Sequence, residues 1–136
     1  MRQHVASGSP LEPIIGFSRA VRTGPVVVVA GTAPIAAEGG GTAGVGDVPA
    51  QTRRCFDIAL AALAQVGAGP EHVTRTRMML TDITRWREAA DVHGEYFRDV
   101  RPACTFVEVK GFIDPDWLVE VEIDAYVPDG NGDGAA

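Results

Sequence analysis

A run of five apolar residues at positions 26–30, Val-Val-Val-Val-Ala, places the strongest limit on how this chain folds. Successive side chains of a strand point to opposite faces of a sheet, so a strand with one face in water alternates apolar and polar residues. This run does not alternate, and it follows a turn-like break, Arg22-Thr23-Gly24, after a strand-like segment at 14–21. We therefore predict a hairpin whose second strand is covered on both faces.

Two later segments have the spacing of amphipathic helices. Asp47 is placed to cap the first helix, Pro49 lies in its first turn, and Gly67 ends it. Thr84 is placed to cap the second helix, which runs to about Arg98. The apolar stripe of the first comprises Cys55, Ala59, Ala62, Leu63 and Val66, and that of the second Trp86, Ala89, Ala90, His93 and Phe97.

Three further strands are predicted at 72–80, after Pro102, and at 118–127. The element order is then ββαβαββ, with two helices on one face of a mixed sheet, an α+β arrangement. The helix-free face is predicted to carry Glu120, Glu122 and Asp124 of the last strand, together with Phe106. Copies of the chain that meet through this face would bury Phe106 and pair Arg75 and Arg77 with carboxylates, so the residues alone predict an oligomer of unspecified size.

Composition narrows the range of partners. The 136 residues, 46% hydrophobic, suit one domain at 1–128, and the Gly- and Asp-rich end at 129–136 is typical of a disordered tail. A net charge of −6 disfavours nucleic acid. The sequence has no apolar run long enough to span a membrane and no signal-peptide pattern, so a cytoplasmic location is expected. Cys55 and Cys104 are not spaced as zinc ligands and are expected to be reduced; no metal or cofactor is predicted.

Several short stretches together resemble the RidA/YjgF family, whose members hydrolyse reactive enamines and imines. They are Ser7-Gly8-Ser9-Pro10, Gly16-Phe17-Ser18-Arg19-Ala20, Ala30-Gly31-Thr32-Ala33-Pro34, Arg75-Thr76-Arg77-Met78, and Arg101-Pro102-Ala103-Cys104. The resemblance spans about 7–127 and is strongest to the branch that lacks the arginine of the Pro-Ala-Arg run. It implies a RidA-like, chorismate-mutase-like fold and a homotrimer with ligand sites in clefts between subunits.

The same resemblance assigns roles to individual positions. Glu120 corresponds to the acid that positions the attacking water, and Cys104 stands where the family arginine clamps the substrate carboxylate. Phe17 replaces a tyrosine and Ala30 a serine, while Gly31 is retained. The implied pocket is more apolar than that of the deaminating members, so an amino-acid-derived imine is expected to bind poorly.

Each candidate residue also has a structural interpretation. Glu120 is a general base or an interfacial ion-pair partner of Arg75 or Arg77. Cys104 is a nucleophile, if a cation lowers its pKa, or a small strand residue. His93, Trp86 and Phe106 line the cleft or pack in the core and interface. Arg77 or Arg75 replaces the missing clamp or forms a structural salt bridge with Glu108, Glu120 or Glu122.

Three functional classes fit these features. The first is hydrolysis of a small imine, enamine or related C–N metabolite by water that Glu120 guides. The second is a pathway-specific lyase or cyclase that uses the same cleft, with Cys104 participating. The third is noncatalytic binding of a small metabolite. The acidic balance disfavours the endoribonuclease activity attributed to some relatives.

Overall fold

The structure is a computed structural model, and it describes residues 2–128. The predicted disordered tail at 129–136 lies outside the described residues. The elements in chain order are β1 (Arg2–Val5), α1 (Leu11–Ile15), β2 (Ala20–Thr23), β3 (Val26–Thr32), α2 (Val48–Gln65), β4 (Val73–Leu80), α3 (Trp86–Phe97), β5 (Ala103–Glu108) and β6 (Val119–Tyr126). Short 3-10 turns at Pro70–His72 and Ile83–Arg85 precede β4 and α3.

The strands form one mixed six-stranded sheet in the order β1-β2-β3-β6-β4-β5. The pair β4–β5 is parallel and the other pairs are antiparallel. The predicted α+β class, with α2 and α3 on one face of the sheet, is confirmed. The parallel strand β5 lies at an edge of the sheet, opposite the edge formed by β1.

The core lies between the sheet and the two long helices. Phe56 and Leu63 of α2 and Phe97 of α3 are almost fully buried there, against Val121 and Ile123 of β6. Burying each side chain of this size contributes about 1.5–3 kcal/mol to folding. The alternation of β6 therefore fixes which of its residues lie under the helices and which point away from them.

The helix caps agree with the sequence in one case and differ in the other. The carboxylate of Asp47 accepts a hydrogen bond from the Ala50 N–H at 3.0 Å, as predicted for the start of α2. Before α3, the prediction that Thr84 is the cap is wrong. Asp82 caps the turn by accepting from the Thr84 N–H at 3.0 Å, and Thr84 lies inside that turn.

The N-terminal region is the main departure from the prediction. The strand predicted at 14–21 is wrong over its first half, because Leu11–Ile15 is a helical turn that ends at Gly16 with φ 88°. Only Ala20–Thr23 forms the first strand of the hairpin. The strand β1 was not predicted, since Arg2, Gln3 and His4 show no apolar alternation.

The valine strand has the two-sided character that the sequence indicates. Val27 and Val29 are buried under the helices, whereas Val26 and Val28 are 47% and 44% exposed on the helix-free face. Tyr126, which pairs with Val26, is 50% exposed beside them. This face therefore has an apolar surface that the single chain does not cover.

Candidate functional site

The sheet divides the candidate residues between its two faces. Glu120 and Glu122 of β6 pair with Met79 and Arg77 of β4, and all four side chains point away from the buried residues under the helices. This row defines the helix-free side of the candidate site. Glu120 itself is half-buried.

The side chains of β5 lie on the opposite face of the sheet from the one predicted. Cys104 and Phe106 pair in parallel register with Thr76 and Met78, which are fully buried beneath the helices. Paired residues of neighbouring strands share a face, so both lie on the helix side. The prediction that Phe106 is on the helix-free face, buried between copies, is wrong. Its ring packs edge-on to Trp86 of α3, with centroids 6.4 Å apart.

The Glu120 carboxylate packs against the backbone of Gly31. A β-carbon at position 31 would lie 2.9 Å from Oε1 of Glu120, closer than such contacts allow. Gly31 has no positive φ, so space, not backbone conformation, is what a side chain there would lack. The absence of a side chain at Gly31 therefore lets the carboxylate approach the strand.

The surroundings of Glu120 make its carboxyl easier to protonate than that of an exposed glutamate. Burial raises the pKa of the Glu120 carboxyl above its usual range, the positive charge of Arg19 opposes that rise, and Glu122 adds to it. A carboxyl whose pKa is raised in this way binds and releases a proton nearer to neutral pH than an exposed glutamate does. Glu120 is therefore better suited than an exposed glutamate to exchange a proton near neutral pH.

Arg19, to which the sequence assigns no role, is buried beside this carboxyl. Its Nη1 donates to the carbonyl of Gly31 at 2.6 Å and to Oγ1 of Thr32 at 3.2 Å, and its Nε donates to Oγ of Ser7 at 3.3 Å. Its guanidinium carbon lies 5.3 Å from the centroid of the Phe17 ring. The sequence signal for this residue is weak: an arginine two positions after Phe17, directly before β2.

Phe17 and Ala30 adjoin the same arginine. The Ala30 N–H donates to the carbonyl of Arg19 at 2.9 Å, which places Ala30 next to Gly31 at the end of β3. The structure thus brings together Phe17, Ala30, Gly31 and Glu120 around Arg19.

The two arginines of β4 are both engaged with carboxylates of β6. Arg77 forms an ion pair with Glu122, and Nε of Arg75 lies 3.8 Å from Oδ2 of Asp124. Each pair is partly exposed on the helix-free face. Within one chain, neither arginine is placed beside Cys104, where the clamp of the resembled family would be.

A separate group of residues lies on the helix side near the β5 edge. The hydroxyl of Thr76 is 2.8 Å from Nε2 of His93 and also hydrogen-bonds the thiol of Cys104. Burial lowers the pKa of His93, which keeps its imidazole neutral. Desolvation raises the pKa of the Cys104 thiol, although the residue as a whole is exposed, and the Thr76 contact only partly opposes this. Cys104 is therefore a poor source of thiolate.

His93 and Trp86 make the contacts of packing residues. The His93 ring lies 4.9 Å from Phe97 and 5.8 Å from Phe56, centroid to centroid. Trp86 is 46% exposed, between Phe106 and the guanidinium of Arg87. In a single chain these residues are separated by the sheet from Glu120.

A cavity of about 120 Å³ lies near the start of α2 and contains none of the candidate residues; it is lined by Val48, Leu80, Thr81, Asp82, Arg85 and Leu118. Over residues 2–128, no cluster of three His, Cys, Asp or Glu side chains is arranged to hold a metal ion. In the same part of the chain, no helix has the length and apolar character needed to cross a membrane.

Comparison with known proteins identifies the family. The model of the Endoribonuclease L-PSP family matches residues 7–127. The chain belongs to the RidA/YjgF family. A member of the YjgF/YER057c/UK114 family from Mycobacterium tuberculosis has a crystal structure that superposes with a TM-score of 0.84 at 46% identity, covering 93% of this chain and 100% of that one.

Two curated relatives show how the RidA/YjgF chain compares in sequence. An uncharacterized protein of Streptomyces coelicolor is 44% identical over 124 residues, which are 91% of each chain. The 3-aminoacrylate deaminase RutC of Acinetobacter baylyi is 32% identical over 120 residues, 88% of this chain and 93% of that protein. Membership in the RidA/YjgF family is therefore established over nearly the whole chain.

Proposed function

We propose that this RidA-family protein hydrolyses a small imine, enamine or related C–N metabolite in clefts between subunits, with Glu120 guiding the water. The observation that carries the proposal is the half-buried Glu120 carboxyl, held against Gly31 with a raised pKa. In the proposed step Glu120 accepts a proton from water as the oxygen bonds to the imine carbon. Glu120 passes this proton to the nitrogen, the new hydroxyl gives up its own proton to the nitrogen as the C–N bond breaks, and a carbonyl compound and ammonia leave.

The substrate is proposed to lack the carboxylate of an amino-acid-derived imine. Cys104 offers a neutral thiol where the family clamp stands, and the β4 arginines are paired with carboxylates on the other face. Phe17 and Ala30 add apolar surface beside Arg19, whose charge faces Glu120. A bidentate arginine contact is about twice as strong as a neutral hydrogen bond, and this pocket has no equivalent beside Cys104.

A homotrimer completes the proposed site. Val26, Val28 and Tyr126 form an exposed apolar surface on the helix-free face, and the edge strand β5 presents Cys104 to a neighbouring subunit. A cleft between subunits brings the Glu120 side of one chain to the β5 side of the next. The proposal includes a cytoplasmic location and no nucleic-acid partner, in keeping with a net charge of −6.

The test is a panel of imines generated in place by an oxidase, with and without a carboxylate, while release of the carbonyl product is followed. We expect faster hydrolysis of uncharged imines, lost in Glu120→Gln and kept in Asp124→Asn, a charge-removing control on the same face. Robust acceleration of 2-aminoacrylate hydrolysis would contradict the proposed substrate class. Ligand binding without turnover across the panel would favour the noncatalytic alternative, which the apolar pocket also suits.

A further inference from the structure

The buried residue Arg19 contacts or faces four of the candidate residues: Phe17, Ala30, Gly31 and Glu120. Arg19 stacks on Phe17, accepts the Ala30 N–H at its own carbonyl, and donates to the Gly31 carbonyl. Its charge also acts on Glu120. These four residues come from three separate parts of the chain, so their common neighbour is a property of the fold.

We propose that Arg19 is the positioning residue of this site: it holds Phe17 and Gly31 in place around Glu120 and supplies the positive charge that faces this carboxylate. The inference rests on the proposed function in that Glu120 is taken as the reacting carboxylate. Arg19 itself acts through its neighbours and is not placed in contact with the substrate.

The guanidinium is fixed by hydrogen bonds on two of its nitrogens. Nη1 donates to Gly31 O and Thr32 Oγ1, and Nε donates to Ser7 Oγ. The Ser7 hydroxyl and N–H in turn donate to the buried carboxylate of Glu12. A planar guanidinium with several donors loses little additional freedom with each hydrogen bond, so this arrangement is rigid.

The Gly31 contact explains how Arg19 sets the position of Glu120. The pairing of β3 with β6 shifts register between Val29 and Thr32, which makes the backbone irregular at Gly31. Arg19 binds the carbonyl of this irregular segment and the Thr32 hydroxyl next to it. Because Glu120 packs directly on Gly31, a movement of that segment would move the carboxylate as well.

Arg19 is also the cation that opposes the burial of Glu120. The charged groups that face Glu120 are Arg19 and Glu122. The charge of Glu120 also contributes to the raised pKa of the buried thiol of Cys55. Glu122 is paired with Arg77. Arg19 also interacts with the charge of Glu12, and its charge opposes the effect of burial on Glu120 without cancelling it.

The test measures the Glu120 carboxyl directly by a carbon-detected NMR titration, which needs no substrate. Arg19→Gln is expected to raise the titration midpoint of Glu120, because burial is then unopposed. Arg19→Lys, which keeps the charge, is expected to restore the midpoint toward wild type while the Phe17 ring signals remain shifted. Arg75→Gln, the matched control, removes an arginine of the same face and is expected to leave the Glu120 midpoint unchanged.

An Arg19→Gln protein that folds and titrates like wild type at Glu120 would overturn the proposal, as would an equal shift in Arg75→Gln. If Arg19→Gln does not fold, citrulline at position 19 takes its place, introduced by joining a synthetic segment 1–54 to Cys55. Citrulline keeps the shape of arginine and removes its charge, so the same rise is expected and an unchanged midpoint is again decisive. If no imine is hydrolysed, the shift of the Glu120 midpoint in Arg19→Gln still stands. If hydrolysis depends on Glu120 but Arg19→Gln does not shift the midpoint, only the proposal for Arg19 is wrong.

Discussion

Gly31 and Glu120 are in such close contact that the carboxylate oxygen occupies the space a β-carbon would need, at 2.9 Å. The Glu120 carboxylate, on β6, therefore lies closer to the backbone of β3 than a side chain at position 31 would permit. This contact places the reacting carboxyl of the proposed mechanism and makes a minimal substitution informative.

Gly31→Ala is expected to displace the Glu120 carboxylate and to reduce kcat/KM on the imine substrate by on the order of 100-fold, as expected for a misplacement of about 1 Å. The backbone at Gly31 suits any residue, so the fold should persist. The measurement is steady-state hydrolysis together with thermal unfolding. Gly41→Ala is the matched control, since a β-carbon at Gly41 meets nothing within 4 Å. Full activity in Gly31→Ala would show that the contact is dispensable.

Glu120→Gln is expected to change the pH dependence of stability. A raised pKa in the folded state contributes stability below the ordinary glutamate pKa, and this contribution is lost as pH rises through the folded pKa. Glutamine does not titrate, so the variant does not lose this stability. Its free energy of unfolding should therefore increase relative to that of the wild type as pH rises from acid toward neutrality. Urea titrations at several pH values test this.

Glu95→Gln provides a control of opposite sign for that experiment. A hydrogen bond from Arg53 lowers the pKa of Glu95. The ionised Glu95 therefore contributes stability above the ordinary glutamate pKa, and this stability is lost on acidification. This variant should lose stability relative to wild type as pH rises. Parallel trends in the two variants would contradict the assignment for Glu120.

Cys104 is expected to react slowly with a thiol reagent near neutral pH. The rate should rise only at pH values above the ordinary pKa of a thiol. Desolvation raises its pKa, and the Thr76 hydroxyl is a weak compensating partner. Labelling rates across pH, followed by mass spectrometry, measure this. Cys55 is fully buried, so native Cys104→Ser protein should remain unlabelled and serves as the control. A reactive thiolate at pH 7 would support the lyase or cyclase alternative.

Val28→Glu is expected to dissociate the proposed trimer. The substitution places a charge in the apolar surface of the helix-free face and opposite Asp124, its neighbour on β6. Light scattering with size-exclusion chromatography gives the oligomeric state. Val45→Glu, at another exposed valine, is the matched control and should leave it unchanged. An unaffected trimer in Val28→Glu would place the interface elsewhere.

Phe106→Ala, unlike Val28→Glu, is expected to destabilise the subunit and leave the oligomer intact. Because Phe106 packs on Trp86 within the chain, its loss should cost about 1–2 kcal/mol of unfolding free energy for a half-buried aromatic ring and leave the oligomer intact. Chemical denaturation followed by tryptophan fluorescence reports both the stability and the environment of Trp86. Dissociation of the oligomer without destabilisation of the subunit would indicate that Phe106 lies at the interface after all.

The sequence predicts well where periodicity and burial agree. Strand β6 alternates strictly, with Val121 and Ile123 inward, and α2 carries both an Asp47 cap and a continuous apolar stripe. Family resemblance then supplies Glu120 and Gly31, which the structure places in contact. Local pattern and tertiary packing specify the same arrangement in these elements.

The errors occur where one strand or turn contains two competing signals. In β5 both faces carry apolar and polar residues, so the face of Phe106 is decided by parallel pairing with β4, which alternation cannot specify. Ile14 and Ile15 resemble strand residues, but Gly16 ends a helical turn there and both isoleucines are exposed. Arg19 was overlooked because its importance arises from contacts with residues distant in sequence.

The division of the site residues between the two faces of the sheet has a consequence for mixtures of subunits. In the proposed trimer each chain supplies its Glu120 side to one cleft and its β5 edge to another. A substitution on one side of a chain then damages one of the two clefts to which that chain contributes and leaves its contribution to the other cleft intact. Co-assembly of chains damaged on different sides would regenerate some intact clefts, so two inactive proteins could complement each other.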